Sequence, residues 1–553
     1  MIRKNTCVAS VVLTFLTTAG MACKSPAVEP PTGLVAEGHD SRIDLVWDRV
    51  SQTDEDLWHV YRAENPAGPW QRLTETPHTI HVYSDFVGEN GKRYSYRVTR
   101  VVDDALDYKQ FLESHHGERI VEVNGEESQP SAVASATTVA MDDEQLLDSV
   151  QKGCFRYFWD FGHPVSGLAR EGFTHPRQNV TTGGTGFGMI TIMVGVERGF
   201  VSRAAAAERL LTMVAFLEDV TPRFHGLWSH HVDGATGAVI PFAGAGDDGA
   251  DVVESAFLME GMLTIREYFD GDDPVETELR ERIDRLWREA EWDWMQQPGD
   301  QKLTWHWSPT VGFARNHKFD GFNECMIAYL LAMASPTHAI APESYYLGWA
   351  GRDDYVNGRE YYGIVQPIGR PLGGPLFFTH YSYLGLDPRQ LNDAYANYFE
   401  ANRALSLINR AYCIDNPRQH AGYSELAWGL TASQDPWGYA AHQPDAPVDN
   451  GTLTPTAALS AMPYAPTESL ATLKYFYRDL GSQLWGPLGF YDAYHPGKHW
   501  VSPSFLAIDQ GTIVPMIENH RTGLPWAMFM KGQAARDILA KLAEAGATRG
   551  AGR

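Results

Sequence analysis

Three acidic segments each precede or open an apolar run. They are Gly246-Asp247-Asp248-Gly249-Ala250-Asp251-Val252-Val253-Glu254, Asp320-Gly321-Phe322-Asn323-Glu324-Cys325 and Ala507-Ile508-Asp509-Gln510-Gly511. Asp251 and Glu254 are three apart, so a helix beginning there carries both on one face. For any one of these acids, capping a helix and meeting its dipole is at least as good an account as catalysis. Three such starts, with aromatic loops between them, fit hydrolysis of a bond between sugars. That chemistry needs one carboxyl to protonate the leaving oxygen and a second to activate water or to attack. The loops are Thr304-Trp305-His306-Trp307-Ser308 and Asp435-Pro436-Trp437-Gly438-Tyr439. Trp305, His306, Trp307, Trp437 and Tyr439 are the candidate sugar-binding side chains, although each also suits a core.

Other chemistries fit less well. Thr182-Gly183-Gly184-Thr185-Gly186-Phe187-Gly188 lacks the Lys-Ser/Thr of a phosphate loop; it reads as a loop approaching the cleft closely, with Phe187 as a further binding candidate. No GxSxG or HExxH occurs. The adjacent histidines at 115–116 and 230–231 have no metal-ligand spacing around them, and the Asp247 segment does not follow the EF-hand pattern. No metal and no cofactor are expected. Cys154, Cys325 and Cys413 are far apart and read as buried thiols.

These residues must be positioned by the surrounding elements. From Met141 the spacing is helical: Leu146, Leu147, Val150, Cys154, Phe155 and Phe158 share a face. Segments 204–219 and 275–293 have a charged face, whereas 185–199, 251–265 and 324–334 are apolar nearly all round and must be covered on both sides. Helices are further expected at 388–411, 453–462, 466–480, 508–521 and 524–543. Inner and outer helices in alternation predict an all-α (α/α)6 barrel over 141–545, with an irregular helical domain as the alternative. Acid-bearing starts of the inner helices would then share one rim.

Before the barrel, residues 32–140 alternate at period two and predict a small all-β sandwich. Trp47, Val60-Tyr61-Arg62, Tyr94-Ser95-Tyr96-Arg97-Val98 and Glu127-Ser128-Gln129-Pro130-Ser131 resemble a fibronectin type III module, with 103–123 as an insertion. None of its residues forms an acid pair, so it reads as spacer or scaffold. Residues 1–22 have a leader's pattern: Arg3 and Lys4, a short apolar run from Val8 to Leu16, then small residues before Cys23. Lipidation at Cys23, a linker over 23–31, and a location in the periplasm or at the cell surface are expected. Net charge is −24, and loss of Arg3 and Lys4 makes it more negative. Such a surface disfavours nucleic acid, leaves membrane contact to the lipid anchor, and suits a neutral substrate.

Residues 143–540 resemble glycoside hydrolase family 144, the endo-β-1,2-glucanases with a bacterial glucoamylase-like domain. The blocks carrying the resemblance include TTGGTGFGM (181–189), DVVESAFLMEG (251–261), WHWSP (305–309), GFNECMIAYLLAMASPTH (321–338), GGPLFFTHYSYLGLDPR (373–389) and SPSFLAIDQG (502–511). The resemblance implies an (α/α)6 barrel, a metal-independent inverting hydrolase and a β-1,2-glucan substrate. It implies activity-critical acids at Asp247, Asp251, Glu254 and Glu324, with Glu324 as general acid. Asp509 is the candidate base, with Asp247 and Asp251 as alternatives. Internal cleavage and release of sophorose from a chain end both occur among relatives. A glycan-binding lipoprotein without catalysis is the second function class; retention of the acids favours the enzyme.

Overall fold

The computed structural model describes residues 28–50, 56–103, 106–107, 111, 123, 125–242, 244 and 246–551. The expected leader, Cys23 and the first part of the linker lie outside these residues, as does most of the 103–123 insertion. Among the described residues no helix is long and apolar enough to cross a membrane.

The first unit consists of two sheets. β1 (Val35–His39), β2 (Arg42–Val46) and β5 (Val82–Phe86) form one antiparallel sheet. β3 (Leu57–Ala63), β4 (Gln71–Arg72), β6 (Arg93–Val102), β7 (Glu126–Glu127) and β8 (Ala134–Thr137) form the other, with β7 and β8 both paired to β6. Ile43, Leu45, Trp47, Trp58, Val60, Tyr96 and Val98 fill the space between them. The alternation of β2 puts Ile43 and Leu45 inside, yet Arg42 and Asp44 between them are buried as well. The outer face of this sheet lies against the helical domain.

That contact is charged. Arg42 donates twice to Asp44, at 2.8 and 2.9 Å, and once each to the Tyr477 hydroxyl and Ser149 Oγ at 3.0 Å. Its guanidinium lies 4.2 Å from the centre of the Trp485 ring. Asp44 Oδ2 is also 3.1 Å from Arg156 Nη1 and 3.3 Å from His39 Nε2. Burial disfavours the Asp44 carboxylate, but Arg42 and Arg156 outweigh burial and hold its pKa well below the usual range. The spacer reading is therefore corrected: the module is docked on the barrel through a buried ion network.

The helices of the second unit are α1 (Asp143–Trp159), α2 (Thr182–Glu197), α3 (Arg203–Asp219), α4 (Val252–Tyr268), α5 (Pro274–Glu289), α6 (Met326–Ala334), α7 (Tyr398–Asp415), α8 (Pro455–Leu459), α9 (Pro466–Lys474), α10 (Ala507–Arg521), α11 (Leu524–Lys531) and α12 (Gln533–Ala551). α2, α4, α6, α8 and α10 are buried nearly all round and make the inner ring. Two 3-10 turns, Leu376–Thr379 and Tyr381–Tyr383, fill its remaining position. α10 touches α2 and α8, and α4 touches α2 and α6. The glycines of 183–188 belong to a helix, not to a loop. A Cβ on Gly186 would sit 2.2 Å from Phe257 O, and one on Gly261 would sit 2.2 Å from Gly186 O, so α2 and α4 meet backbone to backbone.

Three expected helices differ. That over 320–334 begins only at Met326, because Gly321 turns the chain at φ 81°. That over 388–411 begins at Tyr398, where the Asn397 side chain caps it. That over 524–543 is broken by extended backbone at Gly532.

Candidate active site

Short antiparallel strand pairs decorate the rim where the inner helices begin. β9 (Asn179–Thr181) pairs with β10 (His231–Asp233); β11 (Ala250–Asp251) pairs with β12 (His306–Trp307); β13 (Ala432–Asp435) pairs with β14 (Gly438–Ala441). They carry or flank most of the candidate residues.

Asp251 is the N-cap of α4. Its Oδ1 accepts from the Val253 and Glu254 amides, each at 3.0 Å, while Oδ2 accepts from Trp305 Nε1 at 3.2 Å. Both the capping and the site accounts of this residue therefore hold. His230 Nδ1 and His306 Nε2 lie 3.6 and 3.4 Å from Oδ2. Burial opposes ionisation of Asp251, but these histidines outweigh it and depress its pKa far below the usual range. The other end of His230 lies 3.8 Å from Glu254 Oε1. Burial disfavours the imidazolium, but Glu254 and Asp251 lift its pKa to about 10, so it is cationic at neutral pH. Glu254, which accepts from the Gly183 amide at 3.0 Å, is raised by burial to about 7. Asp247 shares the same ring nitrogen of His306, 3.6 Å from Nε2, and lies 3.7 Å from Arg315 Nη1.

Glu324 sits one residue before the N-cap of α6. Its backbone carbonyl accepts from Ser382 Oγ. Burial raises its carboxyl to about 7, with Arg370 opposing from a distance. Asp509, in the first turn of α10, is buried against a second acid, Asp492. Burial, Asp492 and Glu171 together push Asp509 well above the carboxylate range, while a hydrogen bond with the Tyr381 side chain opposes them. Asp492 is itself raised by burial to about 6, and its Oδ2 accepts from the Gln434 amide at 2.7 Å.

Two tyrosines connect these groups. The Tyr381 phenol, almost fully buried, senses Asp509, Glu324 and Glu254. Tyr439, on the β13–β14 hairpin, senses Asp509, Asp492, Glu171 and Glu324, yet is 60% exposed. It therefore stands in the open cleft with the acids around it. Trp305 is half-buried, roughly parallel to the rings of His306 and His317, and bonded to Asp251. Trp437 is exposed, with His495 at its edge and Lys498 near its face.

Two candidates do not face the cleft. Phe187 is 0% exposed, wedged against Phe257 and Tyr381 beneath the acids. Trp307 follows His306 on β12, and successive strand residues point oppositely. His306 faces Asp247 and Asp251, whereas Trp307 packs with Phe224, His225 and Trp294. Both sugar-platform assignments are corrected.

Asp492, Tyr381, His230 and Phe242 were not found from the sequence. Phe242 is exposed and its ring lies 4.4 Å from that of His230. Asp492-Ala493 follows no apolar periodicity, and the pairing of Asp492 with Asp509 is tertiary. Tyr381 lies in an aromatic run that reads equally well as core. Glu171, His230 and His231 have the residue types of a metal site, as do Asp247, Asp251 and His306. In the first group His230 also lies between Asp251 and Glu254; in the second, Arg315 Nη1 lies 3.7 Å from Asp247. Chemically, the cleft offers two separate acid groups held partly protonated near neutrality, with little cationic charge between them.

The chain is similar to several known proteins. The glycoamylase family model matches residues 316–533. An exo β-1,2-glucooligosaccharide sophorohydrolase (non-reducing end) from Parabacteroides distasonis is 42% identical over 522 residues, covering 91% of this chain and 69% of its own length. The crystal structure of a β-1,2-glucanase from the same organism superposes with a TM-score of 0.86 and 40% identity, over 94% of this chain and 74% of that one. An endo-β-1,2-glucanase from Chitinophaga pinensis, solved with sophorotriose and glucose, gives a TM-score of 0.71 and 44% identity over 73% of this chain and 98% of its own.

Proposed function

This chain belongs to the glucoamylase-like family of glycoside hydrolases that includes the β-1,2-glucanases, and we propose that it cleaves β-1,2-linked glucooligosaccharides with inversion, releasing sophorose. Glu324 is the general acid and Asp509 the general base. The observation that carries the reading is the placement of Glu324: a half-buried carboxyl just before an inner helix, its pKa lifted to about 7 by desolvation. An acid in that state is about half protonated at neutral pH and can surrender its proton to a leaving oxygen.

Glu324 donates its proton to the oxygen between two glucose units as the C1–O bond breaks. A water on the opposite face of the ring loses a proton to the Asp509 side and adds to C1. Tyr439 and Trp305 orient the sugar, and Asp251, fixed by two amides and an indole, holds the charge of His230 and the ring of His306 in place. Exo action is favoured by the relative that matches nearly the whole chain, β-sandwich included, whereas the endo-acting one matches 73% of it. Export and lipidation at Cys23 belong to the same proposal and rest on the pattern of residues 1–23.

The test is product analysis on linear β-1,2-glucan and its short oligosaccharides, with optical rotation followed during hydrolysis. Sophorose as the first product, formed in the α configuration, is expected. A ladder of longer products would replace exo by endo action; a first product of β configuration would overturn inversion; faster turnover of starch or laminarin would overturn the substrate.

A further inference from the structure

Asp492 and Asp509 are both about 2% exposed, and their carboxyls stand within hydrogen-bonding reach of one another. The carboxylate oxygens left without any other donor are Asp492 Oδ1 and Asp509 Oδ2, each sealed from solvent. Two facing acceptors in that setting repel unless a proton lies between them. The remaining surroundings do not relieve the charge. From the loop between α1 and β9, Glu171 contributes a further negative charge, itself paired with His231 Nε2 at 3.0 Å. Tyr381 and Tyr439 present phenols, and the Gln434 amide reaches Asp492 Oδ2. Among the described residues, no Lys or Arg is one of the leading influences on either acid.

We propose that Asp492 and Asp509 hold one proton between them, and that Asp492 is the positioning residue which sets the protonation of the base. The inference rests on Asp509 as base. With one proton, the pair carries a single negative charge, as in other carboxylate dyads. During the reaction the attacking water forms its bond to C1 and passes one proton to the anionic pair, which becomes neutral. The C1–O bond breaks with its electrons on the leaving oxygen, which takes the proton of Glu324. Loss of one proton from the pair to solvent and uptake of one by Glu324 restore the starting state. The pair titrates as a unit, so the acid limb of turnover belongs to both residues.

Asp492→Asn keeps the acceptor for Gln434 and presents an amide donor to Asp509. Asp509 then ionises alone, in a single step. The expected result is an acid limb of kcat displaced by at least one pH unit, with kcat at the optimum reduced about 10-fold or more and KM little changed. A folded variant whose pH profile superposes on that of the parent overturns the proposal, whether or not kcat falls. If Asp492→Asn fails to fold, infrared difference spectra of the parent and Asp509→Asn decide: the dyad requires a protonated-carboxyl band at neutral pH that this variant loses, and its persistence overturns the dyad. If the parent does not cleave β-1,2-glucan at all, the functional reading falls, and the infrared band alone still judges the shared proton.

Discussion

The Gly183 amide donates to Glu254 Oε2 at 3.0 Å, tying the first turn of α2 to the first turn of α4. A Cβ on Gly183 would stand 2.2 Å from that same oxygen. Gly183→Ala must therefore displace the Glu254 carboxyl and, with it, His230. Displacements of this size cost up to about 10²-fold in rate, while overpacking costs about 1–3 kcal/mol of stability. Steady-state kinetics with thermal unfolding checks this; an unchanged kcat would show that the position of Glu254 is not critical.

Glu324→Gln retains shape and removes the donated proton. A loss in kcat of roughly 10²–10⁴-fold is expected. In the parent, the protonated form is the active one, so kcat/KM should fall as pH rises through about 7. Glu254 titrates in the same range, which makes Glu254→Gln the control: the alkaline limb should survive in that variant. Disappearance of the limb there, with its survival in Glu324→Gln on an activated substrate, would exchange the two roles.

Glu260 is a buried acid away from the cleft. Its Oε1 accepts from the Gly385 and Leu386 amides, and burial lifts its pKa to about 8 from 4.5. The folded state thus holds a proton that the unfolded chain releases above about 4.5, so its contribution to stability is full below that pH and declines as pH rises toward about 8. The decline is on the order of a few kcal/mol. Glu260→Gln keeps an acceptor for both amides and abolishes the titration. Its stability at pH 8, relative to the parent, should exceed that at pH 5 in denaturant titrations; parallel curves would contradict it.

Arg42→Met leaves Asp44 buried with one bidentate partner gone. A loss of about 3–5 kcal/mol is expected, and Arg42→Met with Asp44→Asn should cost less than the two single changes together. The Asp44 pKa is depressed, so its contribution is present above 3.8 and is lost as pH falls below it. Calorimetry of the three variants measures the coupling, and strict additivity would place the network's worth elsewhere.

The barrel was legible because its inner and outer helices differ in pattern: the charged face of α5 contrasts with α4, buried on every side. The acids at 247–254, 324 and 509 were legible because each lies at a break between polar and apolar sequence. The direction of Phe187 was not, since a helix buried all round has no phase to read. Trp307 was partly readable: adjacent residues of a strand face opposite ways, but nothing local announced a two-residue strand. The inner position at 376–383 also escaped, because Pro375 and a run of aromatics gave two 3-10 turns and no helical stripe. Asp492 had no sequence signal at all; it becomes visible only when its loop is folded against α10.

The ion network under β2 has a consequence for how such a protein can be assembled from parts. Arg42 and Asp44 come from one unit, Ser149, Arg156, Tyr477 and Trp485 from the other. A sandwich grafted from an unrelated protein would leave Arg156 facing apolar sheet without its counter-charge, and a barrel shorn of its sandwich would expose an indole and a cluster of polar groups shaped for a lost neighbour. The two units should therefore be inherited as a pair: among related sequences, the charges at positions 42, 44 and 156 should appear together or vanish together, whatever happens to the surrounding surface.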